Sequence, residues 1–216
     1  MIMDKISELR KGRSFLKKKK NDVLYITGCT KKKNKSNEDL FAFDRYQGPA
    51  SRNMLQFFKK SDGRKILDMY VMSAGYGFIP ADIKIRNYNV TFANTTAKLK
   101  RDMAVELDLK KDYQNLLDKG YKLIILRLGP DYIKALQYAA PEGYDTSKGT
   151  VVCYLKTKKN KQKINAKTIE IPDSESINGG YQDRIWSKFF EKNKDLSSDE
   201  IIQKVINSKN IKELLQ

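Results

Sequence analysis

Met69-Tyr70-Val71-Met72-Ser73-Ala74-Gly75-Tyr76-Gly77-Phe78-Ile79-Pro80, followed by Ile85-Arg86-Asn87-Tyr88, is the stretch on which the reading of this chain turns. An apolar, partly β-branched run gives way abruptly to small residues. That is the pattern of a buried strand feeding a turn. The same grammar occurs twice more. Val23 to Gly28 is an apolar run that ends at Cys29-Thr30, and Lys122 to Leu128 ends at Gly129-Pro130-Asp131. As parallel neighbours, these three strands place their small-residue ends along one edge of a sheet. In open α/β sheets that edge is where ligands bind. The expected fold class is therefore α/β, a small mostly parallel core sheet flanked by helices, with a basic β-hairpin and C-terminal helices added.

The charge is uneven along the chain. Across 216 residues, 43 Lys and Arg face 26 Asp and Glu, a formal net charge of +17. Residues 1–35 hold twelve of the cations against Asp4, Glu8 and Asp22, and residues 156–167 hold six Lys and no acid. A uniform basic bias would not concentrate the excess in two places. Such a balance points to a polyanion, and nucleic acid is the first expectation. Lys17, Lys18, Lys19 and Lys20 form a solvated arm for a phosphate backbone. Lys158, Lys159, Lys161 and Lys163 form the tip of a hairpin between Thr150–Thr157 and Ile164–Ile171, a ribbon suited to a groove. The plainer reading of that tip is a charge run that blocks edge pairing.

Other chemistry is limited. Histidine is absent, which removes the commonest general base and metal ligand. Cys29 and Cys153 are the only thiols, no Cys-x-x-Cys occurs, and no metal or cofactor is implied. Two lone cysteines fit a reducing compartment, and no apolar run approaches a membrane span or a secretory signal. The expected location is cytoplasmic.

In order, the chain reads as a basic arm (1–21), an α/β core (22–140), and a hairpin with C-terminal helices packed on that core (141–216). Asp4 to Leu16 suits a short amphipathic helix. Cys29, Thr30, Lys31, Lys32 and Lys33 leave the first strand end, where a thiol, a hydroxyl and three ammonium groups would form an electropositive site. Cys29 is the candidate nucleophile, although a buried structural thiol is the plainer reading. Pro49 is placed to start a helix running to about Lys60, whose free amides beside Arg52 would suit an anion. Tyr76 and Tyr88, freed by Gly75 and Gly77, are candidates to stack a base or to cover the core rim. Lys98 to Lys119 reads as one helix capped by Gly120. Asp131 is either a proton-handling carboxylate or a helix cap. Ser197 and Glu200 form a capping box.

Together these residues resemble a known family. Ser73-Ala74-Gly75-Tyr76-Gly77-Phe78-Ile79-Pro80 with Ile85 and Tyr88 resembles the Ser-small-x-Tyr-Gly-x-x-x-Pro…Pro-Tyr element of YaaA-like peroxide-stress proteins and of a related domain family of unknown function. Ile26-Thr27-Gly28-Cys29-Thr30-Lys31-Lys32 resembles the Cys-x-x-Lys strand end of that second family, Tyr46-Gln47-Gly48 its Tyr-x-Gly, and Leu128-Gly129-Pro130-Asp131-Tyr132 its later strand-to-helix junction. A domain of archaeosine synthase is more distantly similar. Asn87 stands where the family commonly has Pro, and the resemblance covers about Val23 to Ala139. It implies a nucleic-acid or nucleotide role. The expected function is nucleic-acid binding, with a crevice formed by Cys29, Thr30, Lys31, Gln47, Gly48, Arg52, Ser73, Tyr76, Gly77, Tyr88 and Asp131. The alternatives are an enzyme that modifies a nucleobase or nucleotide, through Cys29 or through Lys31 and Asp131, and a basic scaffold that docks on an acidic protein.

Overall fold

The computed structural model describes residues 2–145, 150–156, 167–170 and 179–216. In chain order its elements begin with α1 (Ile2–Arg10), β1 (Val23–Gly28), β2 (Leu40–Phe41), α2 (Ala42–Arg45), α3 (Arg52–Lys59) and α4 (Ser61–Ile66). Next come β3 (Leu67–Ser73), β4 (Gly77–Pro80), β5 (Lys84–Ile85), α5 (Ala97–Glu106), α6 (Leu109–Asp118), β6 (Leu123–Arg127) and α7 (Pro130–Ala139). The chain closes with β7 (Val151–Lys156), β8 (Lys167–Glu170), α8 (Gly179–Lys192), α9 (Ser198–Asn207) and α10 (Ile211–Leu215). No helix among the described residues is long and apolar enough to cross a membrane.

A six-stranded sheet in the order β4-β3-β1-β6-β7-β8 carries the fold, and β2 and β5 form a separate small pair. β1 lies between β3 and β6, parallel to both, with Val23 opposite Leu67 on one side and Leu123 on the other. All six residues of β1 and all five of β6 are buried. This is why both read as unbroken apolar runs: a parallel strand covered on both faces has no polar side to alternate with. The three expected strands are therefore neighbours, and their small-residue ends share one edge. The chain steps from β1 to β3 on one side and returns to β6 on the other, so that edge is also where strand order reverses.

The Ser73–Gly77 turn does more than leave a strand. It folds β4 back against β3 as an antiparallel edge, with Ser73 opposite Gly77. Gly77 has φ +76°, and a Cβ there would lie 2.3 Å from Arg10 Nη1. Only glycine meets both conditions. Arg10, at the end of α1, donates to the Tyr76 carbonyl at 3.1 Å and to the carboxylates of Asp112 at 3.0 Å and Asp108 at 3.3 Å. α1 ends at Arg10 because Lys11 and Gly12 both take positive φ, short of the expected Leu16.

The basic arm is not free. Its main chain lies against the sheet: Lys17 N–H donates to the Tyr70 hydroxyl at 2.8 Å, and Lys20 N–H donates to Asp68 at 2.9 Å. Lys17 pairs with Asp82 and Lys19 with Asp22, each at 2.8 Å. The expected single helix over 98–119 is two, broken at Asp108, which sits at φ +48°. Aspartate is among the residues that tolerate this left-handed geometry, and the break brings Asp108 and Asp112 together on Arg10. Gly120 follows the second helix at φ +68°, as expected.

The expected basic hairpin is also corrected. β7 and β8 are parallel, with Cys153 opposite Lys167, and they extend the core sheet beyond β6. β-branched content marks a strand but carries no information on its direction. Lys158, Lys159, Lys161 and Lys163 lie outside the described residues.

α8 closes one face of the sheet, where Trp186, Phe189 and Phe190 are fully buried and Phe190 stacks on Phe57 of α3. Asp183 is buried beside them. Its Oδ2 accepts from Asn53 N–H at 2.6 Å and Met54 N–H at 3.4 Å. The helix starts at Arg52 rather than Pro49, and the anion at its amides is the protein's own carboxylate. Burial pushes the Asp183 carboxyl up to about 6, against the pull of Arg127 and the two amides. A carboxyl raised in the folded state favours folding most below its unfolded value and loses that advantage as pH rises through the folded one. From pH 4 to 7.5, the unfolding free energy of Asp183→Asn should therefore gain about 2 kcal/mol on that of the wild type, at about 1.4 kcal/mol per unit over the part of the shift that lies in this window. Parallel urea titrations at the two pH values would test this, and a constant difference would refute it.

Candidate functional site

β1 ends at Gly28, where a Cβ would meet the Tyr132 ring at 3.4 Å. Tyr132 stands at the third position of α7, set there by Pro130 at the first. Its ring lies over the strand end, and its hydroxyl donates to the Cys29 carbonyl at 2.9 Å. The same oxygen is 2.9 Å from Cys29 Sγ. A phenol has one proton, so with that proton on the carbonyl the thiol is the donor in the second contact. Ala74 N–H approaches Sγ from the other side at 3.5 Å.

β3 ends at Ser73. Its Oγ accepts from Gly75 N–H and Tyr76 N–H, both at 3.2 Å. With both lone pairs occupied, its proton is left for the Tyr88 hydroxyl, 2.7 Å away. Tyr88 in turn meets the Tyr46 hydroxyl at 2.7 Å. Burial raises the hydroxyls of Tyr46, Tyr88 and Tyr132 well above the ordinary tyrosine range, with Cys29 adding to the shift. They are neutral donors at physiological pH. Tyr76 and Tyr88 pack edge to face at 5.4 Å, and the Tyr76 hydroxyl accepts from Arg86 N–H at 3.1 Å. They do not form an open stacking platform.

The loop leaving β1 is held by the segment 45–48. Asn34 N–H donates to the Arg45 carbonyl and Gln47 N–H to the Lys32 carbonyl, at 2.8 and 3.1 Å. Gly48 N–H donates to Thr30 Oγ1 at 3.1 Å, and a Cβ on Gly48 would lie 2.5 Å from Thr30 Cβ. The fully buried Arg45 donates to the carbonyls of Asn34 and Ser36 at 2.6 and 2.9 Å, fixing the loop from beneath. Lys31, Lys32, Lys35, Gln47 and Arg52 are exposed around this loop.

The structure thus brings Cys29, Thr30, Gly48, Ser73, Tyr76, Gly77 and Tyr88 into one cluster. Lys31 stays outside, exposed. The lysine that borders the thiol is Lys33, half-buried, with its ammonium 4.4 Å from the Tyr88 ring centroid. Burial lowers its pKa and the nearby Cys29 opposes that shift. Asp131 pairs with the buried Lys100 at 3.0 Å, and Gly129 is the residue that caps α7. Sequence reasoning counted Lys33 among three ammonium groups at the strand end without singling it out, and passed over Tyr46 as a site residue, Tyr132 and Asp183. For Tyr132 a signal existed: two positions after an initial proline, a side chain lies in the first helical turn, next to the strand end.

Chemically, the cluster is a plug. Cys29 is 7% exposed, Tyr132 8% and Tyr88 9%. Nearly every polar atom has a partner within the protein. Among the described residues no group of three or more His, Cys, Asp or Glu side chains is placed to hold a metal ion. What the edge offers to solvent is charge. Tyr88→Phe should leave the Ser73 proton and the Tyr46 hydroxyl short of a partner in a buried site and destabilise the fold by about 2–3 kcal/mol. The denaturation midpoint should fall with an unchanged slope. A shift worth less than about 0.5 kcal/mol would show that these hydroxyls satisfy one another without Tyr88. Compared with family models, curated proteins and solved structures, the chain matches none of them.

Proposed function

We propose that the protein binds nucleic acid through a cationic rim around the C-terminal ends of the core strands. The observation that carries this reading is how the charges are used. Lys17, Lys19, Lys59, Lys98, Lys100, Lys110 and Lys122 each have a carboxylate within 4 Å. Lys31, Lys32, Lys33, Lys35 and Arg52 have no such partner among the described residues. They surround one strand end, the four lysines on a loop that Arg45 and Gly48 hold in place and Arg52 at the start of α3. Cations held together by a fixed main chain, with no internal acid, suit a phosphate backbone. The short motifs between about Val23 and Ala139 that resemble those of YaaA-like proteins, which are associated with DNA, point to the same partner. Contacts of this kind give affinity with little sequence preference.

Salt titrations of binding to duplex DNA, single-stranded DNA and tRNA test the reading. Reversing Lys31, Lys32 and Lys35 to Glu should flatten the log–log salt slope on duplex DNA by about 2.7, roughly 0.9 for each lost phosphate contact. The fold should be unchanged by circular dichroism, because none of these side chains is buried. Failure of the wild type to bind any of the three polymers at low salt would overturn the proposal.

One observation favours a second reading, chemistry on a nucleobase. The Cys29 thiol donates to a phenol that is itself fixed on the Cys29 carbonyl, so the sulfur has a defined hydrogen-bond direction at the strand edge. Under this reading, mass spectrometry of bound tRNA or DNA shows a changed base with wild type and none with Cys29→Ser, at equal affinity. An unchanged base composition with the wild type would remove it.

A further inference from the structure

The surface beside the rim continues it. The eight residues of α3 include no acid. Met54, Leu55, Phe57 and Phe58 are buried, on the side where α3 packs against α8, while Arg52, Asn53, Gln56 and Lys59 face solvent. Arg52 is the helix's first residue, at the edge where the Thr30–Lys35 loop stands. The helix then runs back along the sheet for about 12 Å at 1.5 Å per residue. At its far end Phe58 enters the wall of a groove between the N-terminal arm and the β3–β4 edge. Four cations, Lys17, Lys18, Lys20 and Arg64, line that groove against Asp68 and Asp82. Asp82 is paired with Lys17, and Asp68 takes the Lys20 N–H, Asn21 and the Tyr121 hydroxyl. The ammonium groups of Lys18 and Lys20 have no carboxylate partner among the described residues. Two groups of unpaired cations therefore lie at the two ends of one helix face that carries no acid of its own, with Lys59 at its far end paired to Asp44 of α2 at 2.7 Å.

We propose that a nucleic-acid strand lies along the exposed face of α3, held at one end by Lys31, Lys32 and Arg52 and at the other by Lys18 and Lys20. The partner is then a polymer and not a mononucleotide, since a single phosphate group reaches one end only. This rests on the nucleic-acid reading above and adds to it a direction and a length. It also gives the arm a role in its docked form, in which its main chain is tied to Tyr70 and Asp68 and two of its four ammonium groups stay free. The strand crosses the middle of the track at Gln56, a neutral residue midway along the exposed face.

Fluorescence anisotropy with single-stranded oligonucleotides of about 2 and about 20 residues tests this, because α3 is about 12 Å long and a dinucleotide, with its one phosphodiester, reaches one end of it only. The wild type should bind the long oligonucleotide more tightly and with the steeper salt slope. Lys18→Glu with Lys20→Glu should flatten the slope for the long oligonucleotide by roughly 1.4, two contacts at about 0.7 each, and leave the short one within about twofold. Gln56→Lys should steepen the long-oligonucleotide slope by about 0.7, and Gln56→Glu should weaken binding. The gain with Gln56→Lys cannot arise from misfolding. If the long oligonucleotide binds but is indifferent to both Gln56 variants and to the Lys18 and Lys20 reversals, the α3 track is wrong and the rim stands. If the wild type binds neither oligonucleotide and no duplex or tRNA, the nucleic-acid reading itself has failed.

Discussion

A guanidinium shielded from water holds the site in place. Arg10 is 2% exposed, and it joins the end of α1, the Tyr76 carbonyl, the break at Asp108 and the buried Asp112 of α6. Burial raises the Asp112 carboxyl and Arg10 opposes that shift. Neither charge is tolerable there without the other: removing one partner of such a pair typically costs about 3–5 kcal/mol. The consequences run outward. The Tyr76 carbonyl is fixed, so the Ser73–Gly77 turn is fixed. Ser73 Oγ is then positioned to gather the Gly75 and Tyr76 amides and to present its proton to Tyr88. Gly77 leaves the space that the guanidinium fills. A turn that reads in sequence as a loop of small residues is, in the fold, the packing surface for a distant arginine.

The second constraint is that β1 is covered on both faces and paired on both edges. Its backbone leaves the sheet in a crowded place, where the polar groups of three strand ends converge away from water. Buried polar groups must find partners. Tyr46, Tyr88, Tyr132, Ser73 and Cys29 supply them, and the rings fill the space over the strand ends. This accounts for a dense polar cluster without chemistry. It also accounts for why the loop beyond it is well fixed, since Thr30 bonds Gly48 and Arg45 gathers carbonyls from Asn34 to Ile85.

How much was legible follows from the range of each interaction. β1, β3 and β6 were readable because a strand buried on two faces must be apolar throughout. The capping box at Ser197 and Glu200 and the Gly120 cap were readable because each is closed within a few residues. The direction of β8 was not, since strand propensity is blind to direction. The break at Asp108 was not, because its cause, Arg10, lies 98 residues away. The helix expected to start at Pro49 and offer its amides to an anion starts at Arg52, and its amides take the carboxylate of Asp183, 130 residues on. Lys31 was taken as the site lysine, and nothing local in the sequence separated it from Lys33. The choice between them depends on which one the Lys33–Tyr46 bridge draws inward, and that is a matter of tertiary pairing.

The same comparison separates structural demand from function. A cluster of tyrosines, a serine and a cysteine at strand ends invites a catalytic interpretation, but the fold already needs those groups there to satisfy one another. Lys17 and Lys19 likewise answer to Asp82 and Asp22. Of the lysines on the β1 loop, Lys33 lies over the Tyr88 ring, and Lys31, Lys32 and Lys35 have no carboxylate partner among the described residues. Their mutual repulsion opposes the folded loop, and Arg45, itself cationic and buried beneath them, adds to that cost while its hydrogen bonds offset it. A chain under selection for stability alone gains nothing by keeping four like charges within five residues on a fixed loop. Their presence is intelligible if a partner's phosphates complete the charge balance that the fold leaves open.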